Sequence, residues 1–383
     1  MQGMYSSPSS AESPPLARVL ACYDLGEFKA AHRIERGFVN ENWDVETTQG
    51  RYFLKRRHPH LQQPHTPATT LAVASAVIRA QHALMARLRQ RGFPAPAVVP
   101  TANGETLHVE GSEFYEIQEY IAGEPYDHTR PAHLAEAAVT LGRYHTCVQG
   151  LAPRALSDLG ELYTPATLKA NLSKLSEAWS LQLPTSNFQP PTSNLQQLEA
   201  HAADLAARFA QHGVLPHVII HGDYYAGNLL FEGDHIVGVV DYDKARWQAR
   251  VVELAEALIY FASPRPGHLK HLVYPGFLQW EPFTRFLRHY ARVVTLEENE
   301  VRALPDYVRC IWLAISLQRL WEKGARPAWA CEALHEVLAL GDWARANTQR
   351  MIEVGRAATC GPSTAPEPLP SETRPSCDRK EHP

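Results

Sequence analysis

Cysteine is scarce in this chain. Six occur in 383 residues, at positions 22, 147, 310, 331, 360 and 377, and none forms a C-x-x-C pair. Such sparse, scattered thiols exclude a disulfide scaffold and read as reduced cysteines in a cytoplasm. The 19 histidines include no H-E-x-x-H run and no His/Cys grouping at zinc spacing, so no zinc centre is expected. An excess of either charge is also lacking. Lys and Arg total 37 against 41 Asp and Glu, a net charge of −4, which argues against a broad nucleic-acid or anionic-membrane surface. No stretch approaches the roughly 18–20 uninterrupted apolar residues that span a bilayer. The N-terminus, MQGMYSSPSSAESPPLA, has no basic start followed by an apolar run, so a secretory leader is not expected. No repeat recurs at a fixed period. With 45% apolar and 20% charged residues, the composition is that of a globular protein with a real core.

Residues 1–15 and 358–383 are rich in Ser and Pro and are expected to be disordered. Between them the pattern changes once. Strand-like runs at 42–47 and 52–55 flank Thr48-Gln49-Gly50, as in a hairpin. A helical stretch follows at 69–92, with Leu71, Val73, Val77, Ile78, Leu84, Met85 and Leu88 near a 3.6-residue period and Gly92 and Pro94 as the stop. Short strands are expected at 97–100, 107–110 and 114–120 before the Gly/Pro break at IAGEP. Beyond it the chain is mostly helical, at 131–150, 167–183, 194–212, 251–261, 280–293, 299–323 and 328–355. Three short apolar strands, 218–220, 229–231 and 236–241, interrupt the helices. The reading is α+β: a small β-rich lobe, 16–120, and a larger helical lobe, 121–357. Trp280, Tyr290, Trp312, Trp321 and Trp329 dot the later helices and are expected to pack the core.

The segment VIIHGDYYAGNLLFEGDHIVGVVDYDKA, 218–245, carries the chemistry. An apolar strand runs into His221-Gly222-Asp223, Asn228 follows five residues after the Asp, and the next strand ends at Asp241-Tyr242-Asp243. One Asp at a strand end is ordinarily a turn former. Three oxygen-bearing side chains at the ends of neighbouring strands are a different matter. Asn228 and Asp241 suit Mg²⁺, which takes a few protein oxygens together with phosphates. Asp223 suits acceptance of a proton from an alcohol, as phosphoryl transfer requires. His221 is expected to brace the loop through backbone contacts, and His145 in LGRYH to be a buried, satisfied histidine.

HGDYYAGNLLF and IVGVVDYDKA together resemble the signature of the aminoglycoside phosphotransferase/choline kinase-like superfamily, relatives of the protein kinases. GFVNENWDVETTQGRYFLKRR, RLRQRGFPAPAVVPT, YEIQEYIAGEPY, LGRYHTCV and RVVELAEAL follow that family's order over about 30–325, with the overall look of the homoserine kinase-like members. The resemblance implies a two-lobed protein-kinase-like fold with ATP between the lobes. It makes Asp223 the catalytic base, and Asn228 and Asp241 the metal ligands, with Asp243 a further candidate. Lys55 would pair with the ATP phosphates, though Arg56 and Arg57 follow it in the same strand end. Gly37 and Asn42 would lie in the phosphate-covering loop, and Glu119 and Ile121 would offer backbone groups to adenine. The implied reaction is Mg²⁺-dependent transfer of the ATP γ-phosphoryl group to a hydroxyl of a small-molecule acceptor such as homoserine, choline, ethanolamine or an aminosugar. A Ser/Thr protein kinase and a catalytically silent nucleotide-binding relative are the alternatives. One departure bears on the last: the helix position where kinases carry the glutamate partner of the lysine is here Gln81.

Overall fold

The computed structural model describes residues 13–35, 40–58, 70–182, 192–263, 277–322 and 327–359. Helix α1 (Ser13–Leu20) leads into a sheet formed by β1 (Phe28–Ile34), β2 (Glu41–Thr47), β3 (Arg51–Arg57), β4 (Val98–Val99) and β6 (Glu113–Glu119), in the order β1-β2-β3-β6-β4. β5 (His108–Glu110) pairs with β6, and every pairing is antiparallel. The period of two divides the sheet. Trp43, Val45, Leu54, Tyr115 and Ile117 share a core with Val19 and Leu20 of α1. Lys55, Arg57 and Glu116 fall on the opposite face, where Lys55 stands directly across from Glu116. Helix α2 (Leu71–Gln90), capped by Thr70, packs Ile78 there against Phe114.

The larger lobe holds α3 (Pro131–Cys147), α4 (Arg154–Ser157), α5 (Pro165–Gln182), α6 (Thr192–Phe209), α7 (Arg250–Ala262), α8 (Trp280–Ala291), α9 (Glu298–Glu322), α10 (Pro327–Ala346) and α11 (Thr348–Thr359). Two small sheets sit among these helices. One pairs β7 (Glu124–Pro125), β9 (Leu229–Glu232) and β10 (His235–Val239); the other pairs β8 (His217–Ile220) with β11 (Arg246–Ala249). α7 is buried along its whole length and forms the spine of the main core. α5, α6, α9 and α10 enclose a second core around Trp179 and Leu175. Tyr290 and Trp312 are buried as expected, Trp280 is half-buried against Trp343 under the Arg350 guanidinium, and the Trp329 side chain lies outside the described residues. Among the described residues no helix is long and apolar enough to cross a membrane.

Several expectations need correction. The helix expected over 328–355 is two helices, α10 and α11, which part at Asn347, where the side chain as well as the N–H donates to the Trp343 carbonyl. Strands β1, β7 and β11 were not expected. β1 is a mostly exposed edge strand whose FKAAHRI carries no apolar alternation. β11 turns Arg246 and Gln248 inward, where they bond to the backbone of Gly160 and Leu162 instead of burying apolar surface. Strand β3 runs two residues beyond the expected end and includes Arg56 and Arg57. Of the segments expected to be disordered, 1–15 and 358–383, residues 13–15 open α1 and 358–359 close α11; the others lie outside the described residues.

Candidate active site

Two strand pairings bring the chemistry-bearing turns together. β8 leads into His221-Gly222-Asp223 and pairs with β11, which begins just after Asp243. Asn228 immediately precedes β9, which pairs with β10; β10 ends just before Asp241, and the Val240 N–H bonds to the Asn228 carbonyl at 3.0 Å. A strand-ending turn and the loop before β9 therefore open at one end, facing β3 and α2 of the small lobe.

Within that end, Asn228 Nδ2 donates to the Asp223 carbonyl at 2.9 Å and to Asp223 Oδ2 at 3.1 Å, so its amide oxygen is the atom left for a cation. Gly222 has φ +76°, and a Cβ on it would lie 2.5 Å from the Lys244 carbonyl oxygen, so glycine is required twice over. Its N–H bonds to Glu253 Oε1 at 2.7 Å, and Glu253 Oε2 lies 2.9 Å from His145 Nε2. His145 Nδ1 meets the Tyr290 hydroxyl at 2.8 Å, so the histidine is buried and satisfied. His221 does brace the loop: its Nδ1 accepts the Asp223 N–H at 3.3 Å and its Nε2 faces the Val240 carbonyl at 3.1 Å. Burial lowers its pKa, which favours the neutral ring this pattern needs.

Asp241 stands at φ +70°, a left-handed conformation that Asp adopts more readily than most residues. Lys55 Nζ lies 3.0 Å from Asp241 Oδ1 and 3.0 Å from Asp243 Oδ1. Burial works against the charged forms of Lys55 and Asp241, yet each is held charged by its partner: the lysine pKa is raised and the aspartate pKa lowered. The Asp241 side chain is 41% exposed and keeps an oxygen toward the cleft. Asp243 is differently placed. Asn40 Nδ2 donates to its Oδ2 at 2.5 Å, and Arg57 joins Lys55 on Oδ1 at 2.8 Å. Protein donors thus engage both oxygens of the expected further metal ligand. Among the described residues no three His, Cys, Asp or Glu side chains are grouped to hold a metal.

Gln81 reaches the site, but not Lys55. It accepts from Arg57 Nη1 at 2.9 Å and donates to the Asp243 carbonyl at 2.9 Å. Arg57, 1% exposed, also binds Glu116, which meets His82 at 2.7 Å and accepts from Gln118 Nε2 at 2.8 Å as well. Burial would raise the Glu116 pKa, but Arg57 and His82 outweigh it and hold the carboxyl well below the usual range. Asn42 lies directly across from Lys55. Gly37 lies outside the described residues. At the strand leading between the lobes, the Glu119 N–H is taken by the Ala97 carbonyl at 2.8 Å, and Ile121 packs on Gly238 of β10.

Sequence reasoning missed Lys244, Glu253, Glu256 and Glu116 as members of this site, and named Arg57 only as an alternative to Lys55. Lys244 Nζ lies 2.6 Å from Asp223 Oδ1. Glu256 is buried near it, accepts from the Tyr163 hydroxyl at 2.9 Å, and has its pKa pushed up to about 8, mainly by burial. The i, i+2 spacing of Lys55 and Arg57 on one strand face was the signal available for Arg57.

The model of the phosphotransferase enzyme family matches residues 30–290. A homoserine kinase of Phenylobacterium zucineum is 25% identical over 318 residues, 82% of this chain and 87% of that protein. A homoserine kinase of Pseudomonas aeruginosa is 26% identical over 263 residues, 67% of this chain and 73% of that one. Among solved structures, an amicoumacin kinase bound to AMP-PNP, Ca²⁺ and amicoumacin superimposes with a TM-score of 0.63 at 16% identity, over 87% of this chain and 94% of that one. An aminoglycoside phosphotransferase of Alicyclobacillus acidocaldarius does so at 0.63 and 18% identity, over 92% and 99%. These likenesses show a kinase-like fold.

Proposed function

The chain belongs to the phosphotransferase enzyme family, as a kinase with a hydroxyl acceptor, and we propose that it moves the γ-phosphoryl group of ATP to a hydroxyl of a small amine-bearing alcohol. The observation that carries this reading is the meeting of Asp223, Asn228 and Asp241, from the turns of one segment of the large lobe, with Lys55 of the small lobe. Asp223 orients the acceptor hydroxyl and takes its proton as the new O–P bond forms and the bond to the ADP oxygen breaks. Lys55, two contacts from Asp241 and Asp243, is placed to turn toward the α- and β-phosphates. Asn42, on β2 and directly across from Lys55 rather than in the phosphate-covering loop, is placed beside the phosphates, and the backbone of Glu119 and Ile121 would meet the adenine edge. Asn228 and Asp241 offer hard oxygens that fit Mg²⁺ and would hold it. When bound, the ion neutralises charge on the phosphates. We assign Asp243 a different part, joining Asn40, Lys55 and Arg57 across the lobes.

Homoserine is the first acceptor to test, because two relatives that cover most of their own length are homoserine kinases. Choline, ethanolamine and aminosugars follow. A cytoplasmic location fits the free thiols of Cys22, Cys147 and Cys310. The test is ADP release from MgATP with and without each alcohol, for the wild type and Asp223→Ala. Stimulation by one alcohol, reduced about 10²–10⁴-fold in the variant, is the expected result. A wild type stimulated by none of them, or a variant as active as wild type, contradicts the reading.

A further inference from the structure

The ion pair between Asp223 and Lys244 has no part in the reaction as described so far. Asn228 occupies Asp223 Oδ2, and Lys244 Nζ sits 2.6 Å from Oδ1, so both oxygens of the proposed base have a fixed partner. The lysine is held by a backbone that cannot drift. Its carbonyl accepts from Arg246 Nε at 3.1 Å, and Arg246 in turn donates to the Gly160 carbonyl at 2.7 Å. The same carbonyl lies in close contact with Gly222, the residue before Asp223. The loop that carries the base and the loop that carries the lysine are thus locked together at the backbone as well as at the side chains.

A second acidic side chain faces the lysine. Glu256 is 1% exposed; its Oε1 accepts from Tyr163 and from Tyr260 at 3.5 Å, while Oε2 has no partner among the described residues. Tyr163 itself is held at φ +55°, a strained conformation for a tyrosine. Burial works against a charged Lys244, but Asp223 and Glu256 outweigh it. The Lys244 side chain is 43% exposed while that of Asp223 is 11% exposed, so the pair joins a partly solvated ammonium to a largely buried carboxylate. Its value lies in where it puts a charge.

We propose that Lys244 is a positioning residue for phosphoryl transfer: it fixes Asp223 Oδ1 beside the acceptor hydroxyl and keeps a positive charge next to the path of the γ-phosphoryl group. The inference rests on the kinase reading. The acceptor oxygen attacks phosphorus, its proton passes to Asp223, and the electron pair of the breaking bond leaves with ADP. Throughout, the ammonium holds the carboxylate in line and offsets the negative charge gathering around it. Preorganised donors of this kind act without reorganisation at the moment of reaction.

The test is steady-state kinetics of the full chain with MgATP and its best acceptor, for wild type, Lys244→Met and Lys244→Arg. Lys244→Met is expected to lower kcat about 10²–10³-fold, as removal of a preorganised donor does, with KM for MgATP changed less than about threefold. Lys244→Arg, which keeps the charge, is expected to recover at least about tenfold of that loss. Thermal melting of both variants should stay near wild type. A Lys244→Met enzyme within about threefold of wild-type kcat overturns the proposal, and so does equal loss in both variants accompanied by a lower melting temperature, which marks a structural role. A wild type that transfers to no acceptor refutes the kinase reading and this inference with it; an active wild type with an unaffected Lys244→Met refutes the inference alone.

Discussion

Replacing Gly222 with alanine should damage folding and turnover together. The residue sits at φ +76°, where a side chain costs about 1–2 kcal/mol in backbone strain. The added Cβ would lie 2.5 Å from the Lys244 carbonyl oxygen and 3.0 Å from its carbonyl carbon. Those neighbours are backbone, pinned by Arg246, so they cannot swing aside as a flexible side chain would. Overpacking of this kind costs a further ~1–3 kcal/mol. The total, about 2–5 kcal/mol, is a large part of the stability of a typical domain. Relief requires the Asp223 and Lys244 loops to separate, and misplacement by about 1 Å can cost about 10²-fold in rate. Urea unfolding followed by tryptophan fluorescence measures the first effect and kcat with saturating substrates the second. An alanine variant with the wild-type unfolding midpoint and kcat would refute the argument that this close approach sets the loop geometry.

Two further perturbations probe the groups around the cleft. Gln81→Glu restores the acidic type that kinases carry on this helix, yet it should lower activity. The new carboxylate would lose the bond to the Asp243 carbonyl at 2.9 Å and face that oxygen instead, at a cost of about 1–3 kcal/mol; a variant with higher kcat and unchanged melting would contradict this placement. Glu256→Gln should flatten the dependence of stability on pH. The Glu256 carboxyl is raised from 4.5 to about 8 in the fold, mainly by burial, so the folded state holds the proton more tightly than the unfolded state. Its contribution is fully present below about pH 4.5 and is lost as pH rises through about 8, at most on the order of 5 kcal/mol. Urea midpoints at pH 5 and 8.5 should fall less in the glutamine variant; equal falls in both proteins would count against the buried, protonated acid.

The parts of the fold that were legible in the sequence are those with a local signal. β2 and β3 flank the Thr48-Gln49-Gly50 turn, α2 carries a 3.6-residue stripe with Thr70 and Gly92 at its ends, and the short strands flanking Asp223 are plain apolar runs. The elements that were not legible bury little or bury polar groups. β1 exposes most of its side chains, and β11 spends Arg246 and Gln248 on backbone bonds to a segment 86 residues away. The candidate site divides the same way. Asp223, Asn228 and Asp241 are neighbours along one stretch of chain, so their spacing announces them. Arg57 and Glu116 meet from 59 residues away once β3 and β6 pair, and Lys55 meets Asp243 from 188 across the lobes, whereas Lys244 lies 21 residues beyond Asp223 in the same stretch and carries no motif of its own. A basic run such as Lys55-Arg56-Arg57 at a strand end reads as an exposed edge, and its middle residue is indeed only partly buried, while the two that flank it are 3% and 1% exposed.

The central claim is that Asp223 serves transfer of the γ-phosphoryl group to an acceptor hydroxyl. The most direct measurement follows label from γ-³²P ATP into the acceptor, for wild type and Asp223→Asn, with nucleotide binding measured in parallel. The account predicts labelled acceptor from wild type, a loss of about 10²–10⁴-fold in the variant, and MgATP affinity that changes little. Labelled acceptor formed equally well by Asp223→Asn would contradict it.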